Sequence, residues 1–210
     1  IDHSGRQLRI ETERGTVVAD RAIVTLPTNI LAAREDLFFP ALPHKTEAAD
    51  GLPLGLADKL YLTLDRADEF GRDTRVFGRT DTDATASYTF RPQGRPQVEG
   101  YFGDGLAAAL ERGGVSAFVD FAIGELTGVL GSNFKKRVAL LDMHLWGVDP
   151  FARGSYSFAR PGKVGCRQVL AAPVDDRLFF AGEACLKLDF STAHGAYLTG
   201  LAAAEDVLAA

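Results

Sequence analysis

The chain is 210 residues long, with 46% apolar residues, 24% charged residues and a formal net charge of -5. That composition excludes a disordered chain, a collagen and a coiled coil, and it leaves length for a sizeable core in one large domain or two small ones. The acidic balance argues against a nucleic-acid backbone as partner. No apolar run reaches the roughly 18 residues a membrane span needs.

Residue 1 is Ile, and no basic stretch with an apolar run behind it marks a signal peptide. The opening Ile1-Asp2-His3-Ser4-Gly5 is a hydrophobic residue followed by a turn. It reads as a chain entered partway through a fold. Residues 8–13 alternate apolar and polar, the period of a half-buried strand, and Arg14-Gly15 is a turn signal. Val17-Val18 and the nearly continuous apolar run 22–26 follow, so the segment reads as a hairpin feeding a strand buried on both faces and ended by Pro27. Residues 28–57 read as loop and short helix, punctuated by Pro40, Pro43 and Pro53.

Strands are expected at 60–64 and near 74–78, 84–90 and 97–102, the last two forming a hairpin about the Pro92–Pro96 turn. Apolar residues from Val115 to Leu130 recur at spacings of three and four, which predicts a helix ended by Gly131. Residues 138–145 read as a strand, followed by a Gly/Pro-rich stretch to Gly162. Residues 178–181 read as a short buried strand, and 192–208 as a closing helix.

Many chemistries lack an anchor. None of His3, His44, His144 and His194 falls in a metal-binding pair, so no metal site is expected. No G-x-S-x-G elbow and no Walker loop occurs. Gly103-Asp104-Gly105-Leu106-Ala107-Ala108 has the loose G-x-G-x-x-A form but no clear βαβ unit, and is expected to be a strand-to-helix turn. Cys166 and Cys185 are too few for a disulfide framework or a zinc site, and a reducing cytoplasm is the default compartment. The acidic pairs Glu35-Asp36 and Asp175-Asp176 read as solvated surface.

The C-terminal stretch is more specific. A buried strand runs into Gly182-Glu183, and a helix begins around Thr192-Ala193-His194-Gly195. A helix start presents backbone N–H groups and partial positive charge, suited to a phosphate or an electron-rich ring edge. Gly195 permits close approach of a flat ligand.

Phe179-Phe180-Ala181-Gly182-Glu183-Ala184, followed by Thr192-Ala193-His194-Gly195-Ala196-Tyr197-Leu198-Thr199-Gly200, resembles the C-terminal FAD-binding signature of flavin-containing amine oxidases. That family includes monoamine and polyamine oxidases and the flavin-type histone lysine demethylases, and the His-Gly-Ala form is most similar to the last two. Three further segments resemble the family in the right order: Ala19 to Pro27 its buried strand, Phe39-Pro40 to Leu60 the start of its substrate domain, and Trp146-Gly147-Val148-Asp149-Pro150 with Gly154-Ser155-Tyr156-Ser157 its W…GSYS segment. Residues 66–137 carry no matching motif.

The resemblance implies an α/β (mixed α+β) fold, with a partial FAD-binding domain and a substrate domain built on a mixed sheet flanked by helices. The implied boundaries are 1–27 and 146–210 for the FAD-binding pieces and 28–145 for the substrate domain. It places Gly182 and Glu183 by the FAD ribityl–pyrophosphate region, and the amides of Ala193 and His194 at the flavin N1–C2=O edge. Trp146, Ser155, Tyr156 and Thr192 fall around the flavin, and Lys59 at the lysine that holds a water near flavin N5. Residue chemistry leaves alternatives open. Glu183 also suits a turn-capping carboxylate, Lys59 a snorkelling strand lysine, Tyr156 and Trp146 core packing, and His194 an exposed polar group.

Ser155 stands where monoamine oxidases carry the cysteine attached to FAD, so FAD is expected to be non-covalent. Tyr156 matches one substrate-enclosing tyrosine, and Thr192 stands where the other would be. The expected activity is oxidation of a small-molecule amine with O2 as acceptor, in a protein whose missing N-terminal segment carries the dinucleotide motif. Two alternatives stand beside it: a non-catalytic ligand- or partner-binding fragment, and another branch of the superfamily such as a protoporphyrinogen oxidase or carotenoid desaturase.

Overall fold

A computed structural model describes residues 1–210. In chain order the elements are β1 (Leu8–Thr12), β2 (Gly15–Ala19), β3 (Ala22–Val24), α1 (Thr28–Ala33), α2 (Pro43–Asp50), β4 (Leu54–Gly55), β5 (Ala57–Leu64), β6 (Thr74–Phe77), β7 (Ser87–Phe90), β8 (Gln97–Gly103), α3 (Asp104–Glu111), α4 (Gly114–Leu130), β9 (Val138–Met143), β10 (Tyr156–Ser157), α5 (Cys166–Ala171), β11 (Leu178–Phe180) and α6 (Ala193–Ala209). No helix is long and apolar enough to cross a membrane. The chain divides into two compact units, residues 1–55 with 150–210, and residues 56–149.

In the first unit, β1 and β2 form the expected hairpin, with Leu8 opposite Ala19 and Thr12 opposite Gly15. β3 and β11 pair in parallel, Ala22 beside Leu178 and Val24 beside Phe180. Alternation along β11 sends Leu178 and Phe180 into a core with Val24, Leu31, Phe38, Leu42, Ala48, Leu52 and Leu170, while Phe179 and Ala181 meet Ala203 of α6. β11 is thus covered on both faces, as expected. β3 is not: Ile23 is 39% exposed, because its side chain lies on the opposite face from Val24.

The 28–55 segment packs into this unit and not into the other. Leu31 of α1, Ala48 and Ala49 of α2, and Leu52 share the core of Val24 and Phe180. The compact units therefore divide at 55/56 and 149/150, where the sequence suggested 27/28 and 145/146. Lys45, on α2, is fully buried. Its Nζ donates to the carbonyls of Val169 (2.7 Å), Leu170 (2.8 Å) and Ala172, the unpaired C-terminal end of α5, and lies 4.1 Å from the Phe180 ring centroid.

The second unit is a five-stranded antiparallel sheet, ordered β6-β7-β8-β5-β9, with α3 and α4 against one face. Period-2 alternation puts Leu60, Leu62 and Leu64 of β5 and Val98 and Phe102 of β8 on the covered face, with Phe118, Ala122 and Leu126 of α4. Phe102 sits edge-on to Tyr88 and to Phe118. Glu125 of α4 accepts from Tyr88 Oη and Thr85 Oγ1, both at 2.8 Å, and from the Ala86 amide, fixing the strand entry to the helix. The G-x-G-x-x-A segment is the expected strand-to-helix turn, β8 ending at Gly103 and α3 starting at Asp104. Gly131, at φ 93°, ends α4.

Candidate functional site

The sequence-predicted residues fall into two groups, one in each unit. Ser155, Tyr156, Gly182, Glu183, Thr192, Ala193 and His194 lie in the first unit, and Lys59 and Trp146 in the second.

The first group is assembled by a turn. β11 ends at Phe180, and Gly182 takes φ 139°, which L side chains rarely adopt; the space its missing Cβ would fill is open. Its N–H and carbonyl are both held by Thr199 Oγ1 of α6, each at 3.0 Å. Glu183 then turns back to β10. Its Oε1 accepts from the Ser157 amide at 2.9 Å, and its Oε2 from Ser157 Oγ and the Ser191 amide, each at 2.7 Å. Ser191 Oγ in turn donates to the Ser157 carbonyl. All three donors to the Glu183 carboxylate belong to the chain itself, a turn-capping arrangement.

Arg167, fully buried on α5, completes the ring. It donates to Ser157 Oγ at 2.9 Å and the Ala184 carbonyl at 3.1 Å, and stacks on Phe190. Burial pulls its pKa below the ordinary arginine value, with the Glu183 charge opposing. Ser157, Ser191 and Arg167 were absent from the expected set. Ser157 lies inside the G-S-Y-S motif, whereas nothing local in the sequence marks Arg167.

α6 begins as the pattern predicts. Thr192 is its N-cap, Oγ1 accepting from the Gly195 amide at 3.0 Å, which leaves the amides of Ala193 and His194 without intrahelical acceptors. Gly195 does not open the helix to a ligand. A Cβ there would stand 2.2 Å from the Asp189 carbonyl oxygen, so the missing side chain admits the chain's own 189–192 turn. His194 is 64% exposed and faces Asp189 at 3.8 Å, an exposed polar group. Tyr156, 39% exposed, pairs with Gly55 across the β10–β4 ladder, and the Ser155 amide donates to the Gly55 carbonyl at 2.8 Å.

In the second unit, Lys59 projects from the uncovered face of a central strand. It is 48% exposed and ion-paired with Glu99 of β8 at 3.0 Å. Tyr61, Glu99 and Asp142 line an open groove of about 560 Å³ on that face. Trp146 follows β9, its indole edge-on to His144 and 41% exposed. Its amide donates to Asp58 Oδ1, so the turn is tied to β5 one residue from Lys59.

Comparison with known proteins agrees with this architecture. The profile of the family described as flavin containing amine oxidoreductase matches residues 1–208. A rice (Oryza sativa subsp. japonica) protein, lysine-specific histone demethylase 1 homolog 2, is 33% identical over 99% of this chain and 29% of its own length. Polyamine oxidase 2 of Arabidopsis thaliana is 33% identical over 95% of this chain and 41% of its own length. A putrescine oxidase bound to putrescine superposes with a TM-score of 0.81 at 19% identity, over 100% of this chain and 47% of that chain, and so shares the fold. The chain thus spans less than half the length of these relatives. On the match of its family profile over residues 1–208, the chain belongs to the flavin-containing amine oxidoreductase family.

Proposed function

We propose that this chain forms the later part of an FAD-dependent amine oxidase that holds its cofactor non-covalently. FAD is the cofactor that family membership implies. The observation that carries the reading is the 182–195 turn. Gly182 is open where a side chain would stand, Tyr156 is partly exposed, and the Ala193 and His194 amides are free of helical partners at the positive end of α6. Those features fit the flavin and ribityl end of the cofactor. When bound, FAD supplies the two-electron acceptor that takes an amine to an imine, with O2 as the final oxidant and H2O2 as product.

The chain's own residues have narrower roles. The α6 amides would favour negative charge on a ring edge bound beside them. Glu183 shapes the turn that presents Gly182. Lys59, with Glu99 beside it, holds a water on the open sheet face. Ser155 cannot form the thioether that a cysteine would. The substrate is a small-molecule amine.

The isolated 210 residues are expected to bind FAD weakly or not at all. Ile23 and Leu26 beside the two-stranded β3–β11 pair, and Tyr197, Leu198 and Leu201 on α6, expose apolar surface that a parallel sheet ordinarily covers. The test is reconstitution. The chain alone, incubated with FAD and desalted, should show no stoichiometric flavin absorbance and no peroxide from an amine panel. The longest reading frame that contains it should be yellow and release peroxide. A stoichiometric flavin in the chain alone would overturn the fragment reading, and a long form that binds no flavin would favour a non-catalytic binding module.

A further inference from the structure

Asp58 is the one fully buried carboxylate in the second unit, and nothing in the flavin chemistry calls on it. It sits on the covered face of β5, in phase with Leu60, Leu62 and Leu64. Its Oδ1 accepts from the Trp146 amide at 3.2 Å, and its Oδ2 is buried with no hydrogen-bond partner. Across from it, Glu111 closes α3 and accepts from the next amide, Gly147, at 2.8 Å through Oε1. Two carboxyl groups from different elements thus catch two consecutive amides of one turn.

We propose that Asp58 and Glu111 share a single proton, and that this proton fastens the turn carrying Trp146 to β5 and α3. Two neighbouring carboxylates, one of them desolvated, cannot both ionise cheaply. A proton on Asp58 Oδ2, directed at Glu111, satisfies the orphaned atom and removes the repulsion. The other groups around the pair do not supply a compensating cation from the sheet. Lys59 projects to the opposite face and is paired with Glu99, and the β8 residue opposite Asp58 is Phe102. His144 is the base that acts on Asp58, itself bound to Asp149 at 2.9 Å.

Burial, with the Glu111 charge adding to it, pushes Asp58 up to about 6. The sign follows: the clasp is closed below that pH, and the turn loosens as pH rises through it and Asp58 loses its proton. The pair acts on Trp146 by positioning, and it holds with or without flavin, so its failure leaves the reading of the FAD site untouched.

Trp146 is the single tryptophan, so its emission reports this turn alone. Emission wavelength and anisotropy of the chain should titrate with a midpoint near 6. Asp58→Asn should abolish the transition. Glu111→Gln removes the like charge and offers a donor, and should lower the midpoint by about one to two pH units. His144→Gln should leave it in place. If Asp58→Asn does not fold, by its circular dichroism, Glu111→Gln decides. A transition that vanishes with His144→Gln, or a midpoint unmoved by Glu111→Gln, overturns the proposal.

Discussion

One carboxylate, Glu183, holds three donors from two separate segments, and that is a strong bet on a single side chain. Removing it strands the buried Ser157 amide. Glu183→Ala should therefore cost about 2–3 kcal/mol, while Glu183→Gln, which keeps an acceptor, should recover at least half of it. Urea unfolding followed by far-UV circular dichroism measures both, and an unchanged midpoint for Glu183→Ala would contradict the turn-capping role. Such a hub is half legible in sequence. The Phe-Ala-Gly-Glu run announces Glu183, but its partners lie at Ser157 and Ser191, and only folding brings them within reach. Asp58 is the opposite case: the alternation in Ala57-Asp58-Lys59-Leu60 already sets a carboxylate on the core face, and a reading centred on Lys59 passes it by. Arg167 had no such signal, since the burial of a lone arginine depends on Phe190, the Ser157 hydroxyl and the Ala184 carbonyl, which only folding brings to it.

Among elements, periodicity reported well where the run was long. α4, α6 and the antiparallel strands fall within a few residues of expectation, because one face of each is buried and the other is not. α5 and the two-residue ladder of β4 and β10 went unseen, being too short for any period to develop. Apolar continuity misled at β3, where a run that suits two covered faces has only one covered here. The glycines of α6 give a paired test. Gly195→Ala drives a methyl into the Asp189 carbonyl, and should lower stability despite alanine's better helix propensity. Gly200→Ala meets nothing within 4 Å and should raise stability by about 0.5–1 kcal/mol. Thermal melts of the two variants should move in opposite directions; a stabilised Gly195→Ala would mean that the 189–192 turn does not press on the helix.

For the whole molecule, the family was readable because four motifs recur in order, whereas the limits of the compact units were not. The 28–55 segment carries few motifs, and its allegiance is decided by Leu31, Ala49 and Leu52 packing beside Val24 and Phe180. The exposed Tyr197, Leu198 and Leu201 on one side of α6 predict concentration-dependent self-association of the 210-residue chain. Leu198→Glu with Leu201→Glu should shift its sedimentation toward a monomer, and an unaltered profile would place the association elsewhere. The first unit is also discontinuous, with the whole of 56–149 between its two pieces. Its parallel ladder joins Ala22 to Leu178, so on a ribosome β3 emerges long before its partner exists. The inserted sheet can close as soon as it is synthesised, since its pairings lie within its own stretch, while the β3–β11 ladder must wait until residue 178 has emerged. Within this stretch, the order of synthesis thus places closure of the β3–β11 ladder after closure of the sheet that interrupts it.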